Sequence, residues 1–373
     1  MGKWETVAFD DALTIINGKN QKQVENPSGK YPIYGSGGVM GYSDDYLCEA
    51  NTVVIGRKGT INRPLFVEEP FWNVDTAFGL CAKNTLHPKY LFYFCEQFDF
   101  ETLNTTVTIP SLTKANLLKI KIPLPPLPVQ QQIADVLDRV SALIEKRKAQ
   151  IDKLDLLMKS QFIEMFGDPV TNPKEWEVVA IGDIETKIRS GLSRKLSNDD
   201  IGVPVIRSTN MINGYMDTSD IKYWYINDPQ GADVPSYFLK SGDILVNFIN
   251  SNEHIGKVCI YFDIGRECIY TTNIFVMNLN DKCNSIWFNQ YAKTDAYKYQ
   301  LRNIIQPAVN QSSFTTANYR KLKIPLPPIS IQNEFADFVR QVETQISLLQ
   351  QSLAKLEQNY KSLMQKCFRG EIF

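Results

Sequence analysis

Two long stretches of the chain place apolar residues at alternating steps of four and three. In the second stretch these are Val342, Ile346, Leu349, Leu353, Leu356, Tyr360, Leu363 and Cys367. That spacing is a coiled-coil seam and predicts a helix. The earlier stretch repeats it with Val140, Ile144, Ile151, Leu154, Met158 and Met165. It carries Arg147 and Gln161 where the other has Leu349 and Leu363. A polar seam residue either fixes register and partner or faces solvent at a frayed seam, and the spacing leaves both open. Each helix is expected to run about 37 residues, hence roughly 55 Å.

The chain reads "KIKIPLPPLPVQQQIADVL" from Lys119 and "KLKIPLPPISIQNEFADFV" from Lys321, 202 positions later. Residues 119–166 align with 321–368 without a gap. Identities include Lys121/Lys323, Pro123/Pro325, Pro125/Pro327, Pro126/Pro328, Gln130/Gln332, Ala134/Ala336, Asp135/Asp337, Lys153/Lys355 and Leu154/Leu356. Upstream, "SLTKAN" answers "SFTTAN", and "WETVAFDD" at Trp4 answers "WEVVAIGD" at Trp176. Pro123, Pro125, Pro126 and Pro128 remove backbone donors. They predict an extended polyproline path that pairs with no strand, with the helix starting near Val129–Gln130. A PxxP peptide for an SH3-type domain is the competing reading, but duplication just before two helices favours a structural hinge.

An internal repeat of this kind sets the architecture. The expected parts are a globular domain (1–118), a Pro-rich lead-in with the first helix (119–168), a second globular domain (169–320), and a second lead-in and helix (321–373). The expected fold class is α+β: two mixed α/β domains joined by two long helices in an antiparallel coiled coil, with pseudo-two-fold symmetry. Antiparallel packing is the economical way for the two helices to share a seam, and it puts one globular domain at each end. Since a turn of B-DNA spans about 34 Å, such a frame would touch one duplex at two places.

The globular parts share a framework but differ in their loops. In the first, "YPIYGSGGVMGYSDDY" sets a glycine-rich turn (Gly35, Ser36, Gly37, Gly38) beside an apolar strand. It lacks the GK[ST] ending of a phosphate-cradling loop. "NTVVIGRKGTINRPLFV" reads as strand, turn, strand, with Arg57, Lys58, Thr60 and Asn62 near the tip. These donors suit phosphates or base edges, against the plainer reading of a solvated hairpin. In the second domain "VPVIRSTNMINGYMD" answers the glycine turn with Arg207, Ser208, Thr209 and Asn210. "GDILVNFINSNEHIGKVCIY" answers the hairpin with Asn247, Asn250, Ser251, Asn252, His254 and Lys257, and "IYTTNIFVM" parallels "WNVDTAFGL".

Charge and chemistry narrow the function. The formal net charge is −1, and each globular region is close to balance, so bulk electrostatics would not hold this chain on DNA. The seven cysteines show no CxxC or ligand spacing, which fits reduced thiols in a cytoplasmic protein. The opening "MGKWETVAFDDA" has no apolar leader core, and no run reaches membrane-span length. Only two histidines exist, one in each globular part. Asp168 with Glu185 and Lys187 is a short nuclease-like pattern of a kind that arises readily by chance. No helicase, nucleotide-binding or amino-methyltransferase motif appears. A binding module is expected, with no catalytic residues, metal or cofactor.

The doubled "KIPLPP…Q…A" lead-in, the "FGDPVTNPKEWE" junction and "YPIYGSGG…IGRKG" together resemble DNA specificity (S) subunits of type I restriction–modification systems. The resemblance covers nearly the whole chain. It implies two target-recognition domains, each reading half of a split, asymmetric site in double-stranded DNA, and helices that set the spacer. It also implies docking of modification (methyltransferase) subunits, two per chain, and restriction (translocase-nuclease) subunits in the full complex. Adenine methylation, ATP use and cleavage would then lie in those partners. The competing expectations are the specificity subunit of a system with a fused methyltransferase-nuclease partner, and a coiled-coil protein scaffold without DNA contact.

Overall fold

The computed structural model describes residues 4–104, 111–308 and 311–373. The chain forms two compact units: Met1–Gln150 with Leu349–Phe373, and Ile151–Leu348. The two long helices, Leu127–Phe166 and Ile329–Arg369, each contribute to both units. They run 40 and 41 residues. The first begins at Leu127, ahead of the expected Val129–Gln130, because Pro128 sits in the opening turn, where no N–H is needed.

The strands of the first unit are β1 (Thr6–Ala8), β2 (Leu13–Asn17), β3 (Tyr31–Gly35), β4 (Gly38–Ser43), β5 (Thr52–Gly56), β6 (Leu65–Val67), β7 (Trp72–Asn73), β8 (Ala77–Ala82) and β9 (Lys121–Pro123). They form sheets ordered β2-β8-β5-β6, β4-β3-β7 and β1-β9. All five residues of β5 are buried, as expected of a strand covered on both faces. Period-two alternation sends Val53 and Ile55 to the main core and Val54 to a smaller one with Cys48, Val67 and Phe71. The helix Pro88–Gln97 supplies Tyr90, Leu91 and Phe94 to the main core. Ile133, Ala134 and Leu137 of the first long helix and Met364, Cys367 and Phe368 of the second complete it.

The second unit contains β10 (Glu177–Ala180), β11 (Glu185–Ser190), β12 (Val203–Ile206), β13 (Met211–Ile212), β14 (Tyr215–Met216), β15 (Lys222–Trp224), β16 (Ile244–Asn247), β17 (Ile249–Asn250), β18 (Val258–Ile260), β19 (Ile269–Tyr270), β20 (Ile274–Leu279), β21 (Ser312–Ser313) and β22 (Lys323–Leu326). Its main sheets, β11-β20-β16-β18, β15-β12-β19 and β10-β22, reproduce the three sheets of the first unit in the same order. Ile244 and Val246 face the main core and Leu245 faces a smaller one. Trp287, Phe288 and Tyr291 pack in the main core with Phe162 and Phe166 of the first long helix and Phe335, Ala336 and Val339 of the second.

Within each unit the long helices run antiparallel. In the first, Lys148 lies 3.7 Å from Glu357, while Leu137 shares a core with Met364. In the second, the Phe162 and Phe335 rings are 5.5 Å apart, and Leu154 and Ile346 flank a core holding Met158 and Val342. The seam positions follow the predicted period. Ile144, Met158 and Val342 are buried, and Val140, Ile151, Leu154, Ile346, Leu349, Leu353 and Leu356 are half-buried. Arg147 and Gln161 are half-buried as well.

The Pro-rich lead-ins correct one expectation: they do pair. Lys121–Pro123 lies antiparallel to Thr6–Ala8, and Lys323–Leu326 to Glu177–Ala180. Both pairs are two-stranded, so a proline can sit there without breaking a central ladder. The repeated "WE" motif also gains a role. The Trp176 indole N–H donates to the carbonyl of Phe166 at 2.9 Å, and that of Trp4 to the carbonyl of Cys367 at 3.4 Å. Each tryptophan thus occupies a carbonyl at the end of a long helix, where intrahelical partners run out.

Candidate nucleic-acid interface

In the first unit the predicted residues converge at the end of the sheet where β3 and β5 finish. Gly56 closes β5, and the loop turns back so tightly that a Cβ there would lie 2.0 Å from the Thr60 carbonyl oxygen. The same Cβ would lie 3.0 Å from Ser36, so the glycine turn Gly35–Gly38 and the loop after β5 are neighbours. A third segment knits them together. The Val74 N–H donates to the carbonyl of Tyr34 (3.0 Å), and the Arg57 N–H to that of Thr76 (2.7 Å). Lys58 bridges to Ser111, the Arg57 carbonyl accepts from the Leu112 N–H, and the Arg57 guanidinium lies 5.8 Å from the Phe78 ring centroid.

Exposure sorts the candidates in this unit. Gly37, Arg57, Lys58 and Thr60 are exposed, Ser36 and Gly38 are half-buried, and Gly35 is buried. Asn62 is diverted: its amide donates to Asp99 at 2.8 Å and accepts from the Phe100 N–H at 2.7 Å. It therefore anchors the 99–100 turn. The sequence reading missed β4, whose Val39, Met40 and Tyr42 are exposed beside the glycine turn. Met40 lies over Gly35, where any Cβ would meet its sulfur at 2.5 Å. The available signal was the apolar and aromatic run of Val39, Met40 and Tyr42 directly after the glycine turn.

The second unit builds the same end of its sheet from different chemistry. The 271–273 turn again does the knitting. The Thr271 N–H donates to the carbonyl of Ile206 (3.0 Å), and the Asn273 carbonyl accepts from the Phe248 N–H (3.1 Å). Ser313 pairs with Ile249 as Ser111 pairs with Lys58. The connection after β12 differs from the expected one-to-one match with the first unit. There β3 pairs directly with β4, whereas β12 pairs with β15, and the β13–β14 hairpin is an insertion. That hairpin turns at Asn213 and Gly214, with φ of 51° and 85°. Asn and Gly tolerate this left-handed backbone.

Several amides expected at this surface are spent internally. Asn210 is buried; it donates to the carbonyls of Asp217 and Asp220 and accepts from the Arg207 N–H. Arg207 pairs with Asp220 at 2.8 Å, and that contact holds the Asp220 carboxyl below its ordinary pKa. Asn247 is fully buried, donating to the carbonyls of Ile249 and Asn273 and accepting from Asn250. The Asn250 side chain also accepts from the Ser251 N–H. Asn252 accepts from the Ser312 hydroxyl but remains exposed, as do Thr209 and His254. Ser208, Ser251 and Lys257 are half-buried. The two tips thus differ in charge: residues 57–64 hold Arg57, Lys58 and Arg63 with no acid, whereas 248–257 holds Glu253 and Lys257.

The nuclease-like pattern is dispersed into structural contacts. Asp168 accepts from the Val170 N–H in a turn, and Glu185 pairs with Arg320 at 2.9 Å. His87 caps the helix Pro88–Gln97 by accepting from the Tyr90 N–H, and burial lowers its pKa. Among the described residues no group of three or more His, Cys, Asp or Glu is placed to hold a metal ion. Nor is any described helix long and apolar enough to cross a membrane. All seven cysteines are unpaired; Cys81 is half-buried and the rest are buried.

The family model for the type I restriction modification DNA specificity domain matches residues 1–154 and 173–358. In an alignment of 404 positions the chain is 25% identical to the type I restriction enzyme MjaVIII specificity subunit of Methanocaldococcus jannaschii, spanning 99% of this chain and 93% of that one. A 202-residue stretch is 32% identical to another M. jannaschii sequence named for the same type of subunit, MjaX. That match spans 54% of this chain and only 47% of the relative's length. The crystal structure of a type I restriction–modification S subunit from M. genitalium superposes with a TM-score of 0.62 at 15% identity, covering 98% of this chain and 96% of that one.

Proposed function

Because the chain belongs to the type I restriction modification DNA specificity family, we propose that it is the sequence-reading subunit of a methylation and restriction complex. Residues 1–118 and 169–320 act as two target-recognition domains, and each reads one half of a bipartite, asymmetric site. The observation that carries this reading is the repetition of one sheet framework with different side chains at its equivalent tips. Arg57, Lys58 and Thr60, with Ser36–Gly38 and Met40, serve the first half-site. Thr209, Ser251, Asn252, His254 and Lys257 serve the second. Arginine and asparagine suit bidentate contacts to base edges, and apolar Met40 suits a thymine methyl.

The helices 119–168 and 321–373 act as the spacer and as the docking surface for modification subunits, which supply catalysis. Leu156, Leu157 and Ile163 are exposed on the first long helix and are available to such a partner. Near-neutral charge fits this division: the chain discriminates while its partners enclose the DNA. The isolated chain should therefore bind DNA weakly and with strong salt dependence, and the assembled methyltransferase tightly and specifically. Gel-shift titrations of both would test this, and tight specific binding by the chain alone would refute it. Inserting about four residues into each long helix adds roughly 6 Å, near two base-pair steps, and should widen the spacer. An unchanged spacer would refute the ruler role.

A further inference from the structure

Gln130 and Gln332 occupy equivalent places in the repeat, one near the start of each long helix, and both are fully buried. Burying a primary amide is costly unless its donors and acceptor are used. Here they are used, and in the same way twice. The Gln130 carbonyl oxygen accepts from the His87 N–H at 2.7 Å, and its amide donates to the carbonyls of Thr85 (3.0 Å) and Pro125 (2.8 Å). The Gln332 carbonyl oxygen accepts from the Asn284 N–H at 2.8 Å, and its amide donates to the carbonyls of Lys282 (3.0 Å) and Pro327 (2.7 Å). His87 and Asn284 are the N-cap residues of the helices Pro88–Gln97 and Ser285–Tyr291.

Each glutamine therefore ties three things at one point: a long helix, the Pro-rich segment leading into it, and the loop that opens the main helix of the globular part. Removing either glutamine would strand the backbone groups it satisfies, so each contributes to stability. A three-way polar tie fixes orientation as well, because hydrogen bonds are directional where apolar packing is not. The Pro-Pro pairs assist by holding the lead-in stiff.

We infer that Gln130 and Gln332 are positioning residues that lock the angle between each reading domain and its spacer helix, and so set the tolerance of the complex to half-site spacing. This rests on the reading of the chain as a bipartite specificity subunit. A small tilt at either joint displaces a remote reading loop along the DNA, where one base-pair step is about 3.4 Å. Loosening either joint should blur spacing while leaving both half-site sequences intact.

The test uses the full chain assembled with its modification subunits, carrying Gln130→Met or Gln332→Met. Methylation is compared on duplexes with the native spacer, with one base pair added or removed, and with substitutions in either half-site. Each variant should lose about tenfold of the preference for the native spacer, equal to about 1.4 kcal/mol, with half-site discrimination unchanged. Leu91→Ala, in the core of the first unit, is the control and should weaken recognition of the first half-site only. Retained spacer preference, or a Gln130→Met defect confined to the first half-site, would overturn the lock. If the variants do not fold, hydrogen exchange on the wild-type chain decides: the His87 and Asn284 amides should exchange slowly, and fast exchange overturns it. A wild-type complex that methylates no bipartite site would instead overturn the underlying function.

Discussion

Phe368, five residues from the end of the chain, should hold together a unit that begins at the other end. Its ring lies 4.8 Å from Tyr90 and 5.8 Å from Phe94, and only 6% of the residue is exposed. Cutting a buried phenylalanine to alanine costs about 3–5 kcal/mol, the lost burial plus the cavity left behind. Domains of this kind hold roughly 5–15 kcal/mol in all, so Phe368→Ala should remove a large share of the first unit's stability. The second unit contains none of these contacts and should keep its own. Denaturant unfolding followed by hydrogen-exchange mass spectrometry separates the two, using peptides from Pro88–Gln97 and Ser285–Tyr291 as reporters. The first should exchange faster by two or more orders of magnitude, since each 1.4 kcal/mol is tenfold, and the second should not change. Phe166→Ala should reverse the pattern, because that ring packs 6.1 Å from Trp287. Equal losses in both peptides, or a loss below about 1 kcal/mol, would refute the assignment of the chain's end to the first unit's core.

Arg57→Ala should weaken or relax recognition of the first half-site by about 1–3 kcal/mol, and Lys58→Ala should lower the salt dependence of binding by about one unit of slope. Equal loss at both half-sites would contradict the first, and an unchanged slope the second. Asn247→Ala should cost about 1–3 kcal/mol of folding stability, since its removal strands buried groups, whereas His254→Ala at an exposed position should stay within about 0.5 kcal/mol; thermal melts would distinguish them. Asp228 accepts from Arg194, Trp224 and two backbone N–H groups, and the guanidinium above all holds its pKa far below the ordinary carboxylate range. Its contribution is therefore present above the ordinary carboxylate pKa and lost as pH falls toward the depressed value. Asp228→Asn should flatten the acid side of the stability curve below about pH 4, and parallel curves would refute that.

Much of the frame was legible in the sequence because it depends on period. A seam of steps of four and three, repeated at a fixed offset, specifies two helices and their equivalent faces, and burial of Ile144, Met158 and Val342 follows from it. What stayed hidden depends on partners distant in sequence. Nothing local in "KIPLPP" reveals that Lys121–Pro123 finds Thr6–Ala8 as an antiparallel partner. Loop letters likewise do not say where a side chain's hydrogen bonds go. Asn62, Asn210 and Asn247 read as free donors, yet Asn62 is spent on the 99–100 turn, Asn210 on its own loop and Asn247 on the carbonyls of Ile249 and Asn273, while Asn252 stays exposed. The inserted β13–β14 hairpin escaped notice because "NMINGYMD" resembles "GGVMGYSD" in composition while pairing only with itself. Gln130 and Gln332 were visible as identities, but their three-way bonding appears only in the fold.

The most direct test of the central claim is a map of methylated bases across the genome of a host strain with and without the gene for this chain, its modification partner being present in both. The account predicts an adenine-methylated, asymmetric motif in two parts separated by a fixed unspecific spacer, present with the gene and absent without it. Methylation that is unchanged by the deletion, or a single uninterrupted motif, would contradict it.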